Sequence, residues 1–375
     1  TDYVWEVIQA HADAAQRMAA AGLDGIEMTA SHGLLLAQFL SPDVNRRTDE
    51  FGGSEEKRFR FITEVVTAVR KAIGSDCIIG IRVSAHEDEP TGLTSQMVVD
   101  ACRRMEDLVD LDYLNVTMGS MATLGSSAHV VPPMVFEHAY TAPHAATIKE
   151  VFTRSILVTG RINQPQLAEQ VLAKGQADMC GMTRALISDS AMPNKAKRGD
   201  LDDICACIGC NQACIGHYHQ GVPISCVQNP ISGRELTLGA HPGVEKPRSV
   251  LVAGGGPGGM KAAAVAAQRG HRVILCERSG QLGGQVLLAQ TLPGRAEFGV
   301  LVDNLRREME LAGVEVHLVT DVDTALVKQE SPDVVIIATG ATPFQPDANI
   351  GIDTHVIQAW QILKGEASPG HSVVI

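Results

Sequence analysis

The sequence predicts an α/β protein built as two successive units. Three observations carry that prediction. The chain has 375 residues, more than one compact domain ordinarily holds. In its first half, short Val/Ile-rich runs alternate with helical periods at ~30–40-residue intervals, the spacing of βα repeats. Beyond Arg248 the alternation restarts with a strand that feeds a glycine-rich turn, Gly254-Gly-Gly-Pro-Gly-Gly259. Composition agrees, because 36 glycines and only 4% aromatic residues suit tight turns and ligand-cradling loops. An apolar share of 45% with 20% charged residues excludes a disordered or collagen-like chain.

Each element of the first half follows from its pattern. Residues 1–22 form an amphipathic helix with Val4, Ile8, Ala12, Ala15 and Ala19 on one stripe. Gly25–Met28 is a short strand, and a polar loop leads to a long helix from Ser54 to Lys71. Ile78–Val83, Tyr113–Val116, Ile156–Thr159 and Met179–Met182 are further strands, joined by helices over 95–108, Ala142–Phe152 and Gln164–Lys174. Five such units would be the later part of a (β/α)8 barrel, which needs ~250 residues when complete. A doubly wound sheet alternates in the same way, so periodicity leaves both open. The first helix opens without a cap run, and Ser372–Ile375 is a strand pattern with no turn or helix after it. Both ends look cut, as in an internal piece of a longer protein.

Charge and cysteine usage bound the partners. A net charge of −12 gives no electrostatic case for nucleic acid or an anionic membrane. No apolar run reaches the ~18 residues of a membrane span, and no signal peptide is visible. Nine cysteines, an odd number in an acidic chain, argue for a reducing compartment, the cytoplasm, and against a disulfide framework.

Residues 198–246 break the periodicity with Asn229-Pro230, His241-Pro242 and a cysteine cluster. Cys207, Cys210, Cys214 and Cys226 are spaced C-x2-C-x3-C-x11-C. Three close thiolates and a fourth from a distant loop are what a cubane iron–sulfur cluster needs. Zinc is the alternative, with His217 and His219 as further donors, although zinc ribbons usually pair two C-x2-C knuckles. Cys205 falls outside the spacing, and Cys77, Cys102, Cys180 and Cys276 sit in strand or helix patterns as small apolar residues.

The second unit opens with strand Val250–Ala253, a helix over 259–269, strand Arg272–Cys276 and a further strand over 334–338. Gly254, Gly256 and Gly259 allow a tight turn and a close approach of backbone N–H groups to a pyrophosphate at a helix N-terminus. Glu277, 18 residues beyond Gly259, is placed to bond ribose hydroxyls and disfavours a 2′-phosphate. In the first unit, Arg82 ends one strand, Gly160-Arg161 another, and Gly181-Met-Thr-Arg184 the last. Glycines and arginines in the last two βα loops suit a phosphate site at a barrel mouth. Any one of these arginines could equally cap a helix or pair with a surface acid.

Together these residues resemble the two-flavin branch of the old yellow enzyme group, the NADH:flavin oxidoreductases that include 2,4-dienoyl-CoA reductase and trimethylamine dehydrogenase. The resemblance rests on Asp24-Gly-Ile-Glu-Met, Gln38-Phe-Leu-Ser-Pro42, Asn45-Arg-Arg-Thr-Asp-Glu-Phe-Gly-Gly-Ser54, Gly160-Arg-Ile-Asn, Gly181-Met-Thr-Arg184, the Cys207–Cys214 run and Gly254-Gly-Gly-Pro-Gly. It runs in order over essentially the whole chain. It implies the C-terminal part of an FMN-binding (β/α)8 barrel over 1–197, a 4Fe–4S segment over 198–246, and a Rossmann-like FAD- or ADP-binding domain over 247–375. By resemblance Arg82 contacts the flavin, while Gly160, Arg161, Gly181 and Arg184 hold the FMN phosphate. The four cysteines ligate the cluster, and Gly256, Glu277, Gln285 and Arg295 hold the second nucleotide. The family's first three barrel strands and its nicotinamide-binding insert would lie outside this chain, which alone should then not turn over.

The departures bear on substrate. In the enoyl reductases a proton-donating Tyr stands two residues after the position of His32, where this chain has Leu34. Their second acid, a His after the sixth strand, aligns with about Met121. In the amine dehydrogenases a Tyr and a His occupy the positions of Thr29 and His32, and a pocket aromatic aligns with Tyr218. The chain is thus nearer the amine-oxidising and N-demethylating members, with His32, Thr29 and Tyr218 as candidate catalytic positions. A loop histidine packed beneath Pro42 is the plainer reading of His32. The expected partners are a small organic substrate and either NAD(P)H or an electron-transfer protein, with homo-oligomerisation open. The rivals are an enoyl or 2,4-dienoyl-CoA-type reductase, a zinc-stabilised NAD-binding module, and a non-catalytic nucleotide-binding remnant.

Overall fold

The computed structural model describes residues 1–239, 243–344 and 356–374. His241-Pro242 and Ile375 lie outside the described residues. Two compact units divide the chain, Thr1–Ala185 and Leu186–Ile375, so the division falls ahead of residue 197.

The first unit is a five-stranded parallel sheet: β1 (Gly25–Ala30), β2 (Ile78–Ser84), β3 (Tyr113–Thr117), β4 (Ser155–Thr159) and β5 (Met179–Gly181), in sequential order. Every neighbour is parallel, which the crossover helices between strands require. β2 and β3 are almost wholly buried, as expected of strands covered on both faces. The helix Glu55–Ile73 begins where Ser54 accepts the Lys57 N–H and buries Phe59, Ile62, Val66 and Val69 at helical spacing. Helix Asp2–Ala20 packs beside it, and Phe39 stacks on Phe61 with ring centroids 3.9 Å apart. The expected helix over Ala142–Phe152 stops at Lys149, because the Val151 and Phe152 N–H groups both turn back to the Ile148 carbonyl and Phe152 is buried.

In the second unit β6 (Ser249–Ala253), β7 (Arg272–Glu277), β8 (Glu315–Leu318) and β9 (Val334–Ile337) make a parallel sheet in the order β8-β7-β6-β9. The chain leaves β6 toward β7 on one side and returns as β9 on the other. The C-terminal end of β6 is therefore a topological switch point, where open α/β sheets bind ligands. β8 and the helix Phe298–Ala312 before it were not among the expected elements. The expected strand over Ser372–Ile375 is not formed at Ser372–Val374, where no ladder partner receives it and Val374 is 98% exposed.

Candidate functional site

Three groups of candidate residues are built by different means. The first lies at the C-terminal edge of the five-stranded sheet. Thr29 on β1 pairs in register with Arg82 on β2. His32 follows β1 with φ +60°, and its backbone N–H donates to Ser84 Oγ at 3.0 Å. Burial first, then the Arg82 charge, bring the His32 imidazole down to about 4, against the Gly119 and Met118 carbonyls. His32 is therefore neutral at pH 7. The Met121 N–H donates to the His32 carbonyl at 3.1 Å, so the position aligned with a second acid does lie beside His32. Leu34 and Met121 themselves are exposed apolar side chains with no proton to give.

The arginine belongs to a polar network that the sequence reading missed. Arg82 Nη2 lies 2.8 Å from Glu27 Oε1, and Glu27 Oε2 accepts from Tyr113 Oη at 3.0 Å and Asn115 Nδ2 at 2.9 Å. Thr159 Oγ1 donates to Asn115 Oδ1 at 3.1 Å, which ties β4 to the same group. Burial and the Glu27 charge push the Tyr113 phenol up to about 12. The signal was a polar residue within each of four largely apolar strands: Glu27, Arg82, Asn115 and Thr159. Arg161, 4% exposed, adopts φ +55° directly after Gly160. A Cβ at Gly160 would meet Thr141 Oγ1 at 2.1 Å, and one at Gly181 would meet Thr159 Oγ1 at 2.2 Å, so close packing demands both glycines. Buried Arg82 Nε and His32 Nδ1 have no hydrogen-bond partner among the described residues. Two unspent polar atoms at the sheet's ligand-binding edge fit a polar planar group such as a flavin ring.

The thiol group lies in the second unit. No disulfide joins any of the nine cysteines. Gly209 (φ +60°) and Asn211 (φ +57°) bend the chain between Cys207 and Cys214, and Gln212–Gly216 forms a π-helical turn carrying Cys214. The Gly209 N–H donates to Cys207 Sγ at 3.4 Å. Burial pushes the Cys210 thiol up to about 11. The Gln212 N–H opposes it, and Cys207, Cys214 and Cys226 add to it as neighbouring charges. Among the described residues, however, no group of three or more His, Cys, Asp or Glu side chains is set to hold a metal ion. Protonated thiols have no reason to converge, since metal binding, deprotonation and local folding are coupled. The donor set, four soft sulfurs with backbone N–H groups at Cys207 and Cys210, fits an iron–sulfur cluster. Cys205 stands apart: its thiol, beside Ser188, is pushed up to about 12 by burial. Tyr218, 67% exposed, meets His219 edge-on at 5.5 Å.

The third group is backbone. Gly256 caps the helix Pro257–Gln268 with no side-chain hydrogen bond, and Pro257 opens it without an N–H. A Cβ on Gly256 or Gly258 would meet nothing within 4 Å, so open space faces this helix N-terminus. A Cβ on Gly259 would meet the Gly254 carbonyl at 2.0 Å. The Gly283 N–H donates to the Gly255 carbonyl at 2.8 Å, folding the Leu282–Gln285 turn over the first. Glu277 accepts from the Gly255 N–H at 2.6 Å and the Ser279 N–H at 2.8 Å. Burial raises its pKa, but these N–H groups outweigh burial and leave it lowered. Gln285 Nε2 donates to the Ala341 carbonyl at 2.9 Å, bringing that turn to the end of β9. Arg295 is exposed in the turn that ends Leu292–Arg295. A separate cavity of about 680 Å³ in this unit is lined by Cys205, Gln228, Asn304 and Arg307 among others, and by none of the candidate residues.

Residues 1–203 match the model of the NADH:flavin oxidoreductase / NADH oxidase family. The chain belongs to that family. Residues 248–375 match a second model, that of pyridine nucleotide-disulphide oxidoreductases. The chain is 39% identical over 375 residues to a metal reductase of Desulforamulus reducens, covering 99% of this chain and 55% of that protein. It is 37% identical over 385 residues to an N,N-dimethylglycine/sarcosine dehydrogenase of Chromohalobacter salexigens, at 99% and 55% coverage. A solved 2-naphthoyl-CoA reductase in complex with 2-naphthoyl-CoA superposes with a TM-score of 0.92 at 32% identity, over 98% of this chain and 55% of that one. The chain thus spans about half the length of the relatives it matches. Family membership decides between the two architectures left open by periodicity: the five-stranded sheet is part of a (β/α)8 barrel, and the four-stranded one is a Rossmann-like sheet. No helix among the described residues is long and apolar enough to cross a membrane.

Proposed function

We propose that this chain is the substrate, cluster and second-nucleotide part of a flavin- and iron–sulfur-dependent oxidoreductase of small organic amines, nearer amine oxidation and N-demethylation than enoyl reduction. The observation that carries it is the ligand edge of the first sheet. A neutral histidine and an arginine with an unspent Nε stand there, while Leu34 and Met121 occupy the positions of the enoyl reductases' two acids. The similarity to a dimethylglycine/sarcosine dehydrogenase supports the same choice. In this reading 1–197 holds FMN and substrate, 198–246 the cluster, and 247–375 FAD or ADP.

FMN, when bound, supplies two-electron acceptance from substrate and one-electron release. The protein's own residues do the rest. Arg82 faces the flavin ring, and Glu27 fixes the guanidinium's direction. Arg161 and Arg184 would hold the phosphate, in loops that Gly160 and Gly181 let pack against Thr141 and Thr159. His32, uncharged, accepts a hydrogen bond from substrate without repelling a cationic amine, and Thr29 shapes the wall beside it. Cys207, Cys210, Cys214 and Cys226 would hold a 4Fe–4S cluster, which would supply one-electron transfer, with the second nucleotide or a cytoplasmic electron-transfer protein as the partner. Gly254, Gly256 and Gly259 receive the pyrophosphate, Glu277 the ribose, and Gln285 and Arg295 the remainder of that nucleotide.

Anaerobic purification tests the cluster, the part with the sharpest outcome. Brown protein with about four iron and four sulfide per chain is expected. Cys210→Ser should abolish the chromophore and Cys205→Ser should leave it. One zinc per chain without labile sulfide would replace this reading with the zinc-stabilised module. In a flavin-loaded chain extended to the length of its relatives, dye reduction should be faster with N-methylated amino acids than in the reverse assay with enoyl esters.

A further inference from the structure

The thiol segment is held by two amide side chains that have no part in the functions above. Three of its cysteines lie on one arm, Cys207–Cys214, and the fourth, Cys226, lies on another. Two hydrogen bonds tie the arms together, one on either side of Cys226. The Ser225 N–H donates to the Ala213 carbonyl at 2.7 Å, next to Cys214 in the chain. Gln228 Nε2 donates to the Ala206 carbonyl at 2.7 Å, next to Cys207. The chain's own hydrogen bonds therefore fix the roots of both arms.

The second of these bonds is anchored in the nucleotide fold. Asn304 Nδ2, on the helix Phe298–Ala312, donates to Gln228 Oε1 at 2.6 Å and to the Ala206 carbonyl at 3.3 Å. One carbonyl thus receives N–H groups from two amides, and the amides also bond each other. Gln228 is 3% exposed, and its Nε2 also reaches Ser188 Oγ at 3.3 Å. Ser188 Oγ in turn donates to the Cys205 carbonyl at 2.8 Å. One turn along the helix from Asn304, Arg307 Nε donates to Asp203 Oδ1 at 2.8 Å. Leu301, Leu305 and Met309 bury a stripe of the same helix. Packing therefore sets the helix, and Asn304 carries that fixed position to both arms of the thiol segment.

We propose that Asn304 and Gln228 are positioning residues of the iron–sulfur cluster and raise its reduction potential. Neither is a ligand. They hold the root of the Cys226 arm to the peptide that leads into Cys207, and they place amide hydrogens on that peptide's side of the segment. Those hydrogens carry partial positive charge where water is largely excluded, and a cluster gains negative charge on reduction. The amide pair therefore favours the reduced form. Groups that bond a metal ligand directly are worth about 10–100-fold in affinity or activity. These two act through one intervening peptide, so a smaller factor is expected.

The proposal rests on the iron–sulfur reading, and one experiment keeps the two apart. The protein is purified anaerobically from a chain extended to the length of its relatives, and a redox titration followed by electron paramagnetic resonance gives the cluster's potential. Asn304→Leu keeps the side chain's volume and the helix but removes the N–H donors. It should lower the reduced-to-oxidised ratio at a fixed poise about threefold, which is about 28 mV for a one-electron couple. Gln228→Met, which keeps the side chain's length, should lower it at least as much. Arg306→Ala, which removes an exposed partner of Asp303 on the same helix, should leave the potential unchanged. A packing role alone would survive leucine and methionine, so unmoved potentials in both variants overturn the proposal. An equal shift in Arg306→Ala overturns it too. Loss of the chromophore in Asn304→Leu at an unchanged melting temperature would support it, as a stronger form of the same effect. Unmodified protein without iron and labile sulfide would overturn the cluster reading and the proposal together, whereas brown unmodified protein whose variants match it overturns the proposal alone.

Discussion

The two parallel sheets solve one problem, binding a phosphate-bearing cofactor at strand C-termini, with opposite materials. The barrel sheet uses side chains. Glu27, Arg82, Asn115 and Thr159 reach across four strands, and His32 is held neutral by burial and by Arg82. The nucleotide sheet uses main chain. Gly256 leaves open space before one helix N-terminus, Gly259 lets that helix pack on the Gly254 carbonyl, and Glu277 is spent on two N–H groups of the turns around it. A side-chain site stores its specificity in desolvated charge, which pH can undo. A backbone site stores it in the absence of a methyl group, which pH cannot touch.

Acid is the strongest way to separate the two. His32 has a folded pKa of about 4 against an ordinary value near 6.5. The unfolded chain therefore binds the proton first as pH falls. Stability from this group is complete above pH ~6.5 and is lost progressively down to pH ~4, by at most about 3 kcal/mol. Denaturant midpoints at pH 7 and pH 4.5 should differ more in the unmodified chain than in His32→Asn. Equal pH dependence in both would mean that His32 is solvated and that the edge is not electrostatically set.

Gly259→Ala attacks the other sheet. The added methyl would sit 2.0 Å from the Gly254 carbonyl, so helix and turn must part. A loss of about 2 kcal/mol is expected, at every pH, together with weaker ADP-ribose binding. Gly258→Ala, whose methyl meets nothing within 4 Å, is the control and should be close to neutral in stability. A neutral Gly259→Ala would place the packing of this turn elsewhere.

The contrast also explains what could be read from the sequence. The glycine turn was legible because its geometry is encoded within one short segment, by residues whose defining property is a missing side chain. The five barrel strands were legible from spacing and burial; each expected strand lies within three residues of its place. The Glu27–Arg82–Asn115 network was not, because its members are far apart in sequence and meet only through parallel register. Polar residues inside largely apolar strands were the available clue. β8 was missed because it is a half-exposed edge strand with no strong alternation. The helix before it did carry a signal, with Leu301, Leu305 and Met309 at four-residue steps and Gly313 closing it. The thiol group was legible as donors and spacing, while among the described residues the thiols do not close on a metal site.

Glu277→Gln gives the smallest expected effect and tests the one side chain in the backbone site. The carboxylate offers two acceptor oxygens to two N–H groups, and glutamine offers one oxygen and one NH2 donor. One N–H, of Gly255 or Ser279, must then face a donor or turn to water, at a cost of about 1–2 kcal/mol. The pH dependence has a definite sign. Glu277 has a lowered folded pKa, so its contribution is present above the unfolded value of about 4.3 and disappears as pH falls through the folded one. Glutamine should remove that dependence. The same substitution removes the charge that would repel a 2′-phosphate beside the ribose. Calorimetry should therefore find ADP-ribose preferred over its 2′-phosphorylated form by the unmodified chain, with the preference largely gone in Glu277→Gln. Loss of stability with the preference intact would confine Glu277 to bracing the turn, and the nucleotide would then be read by backbone alone.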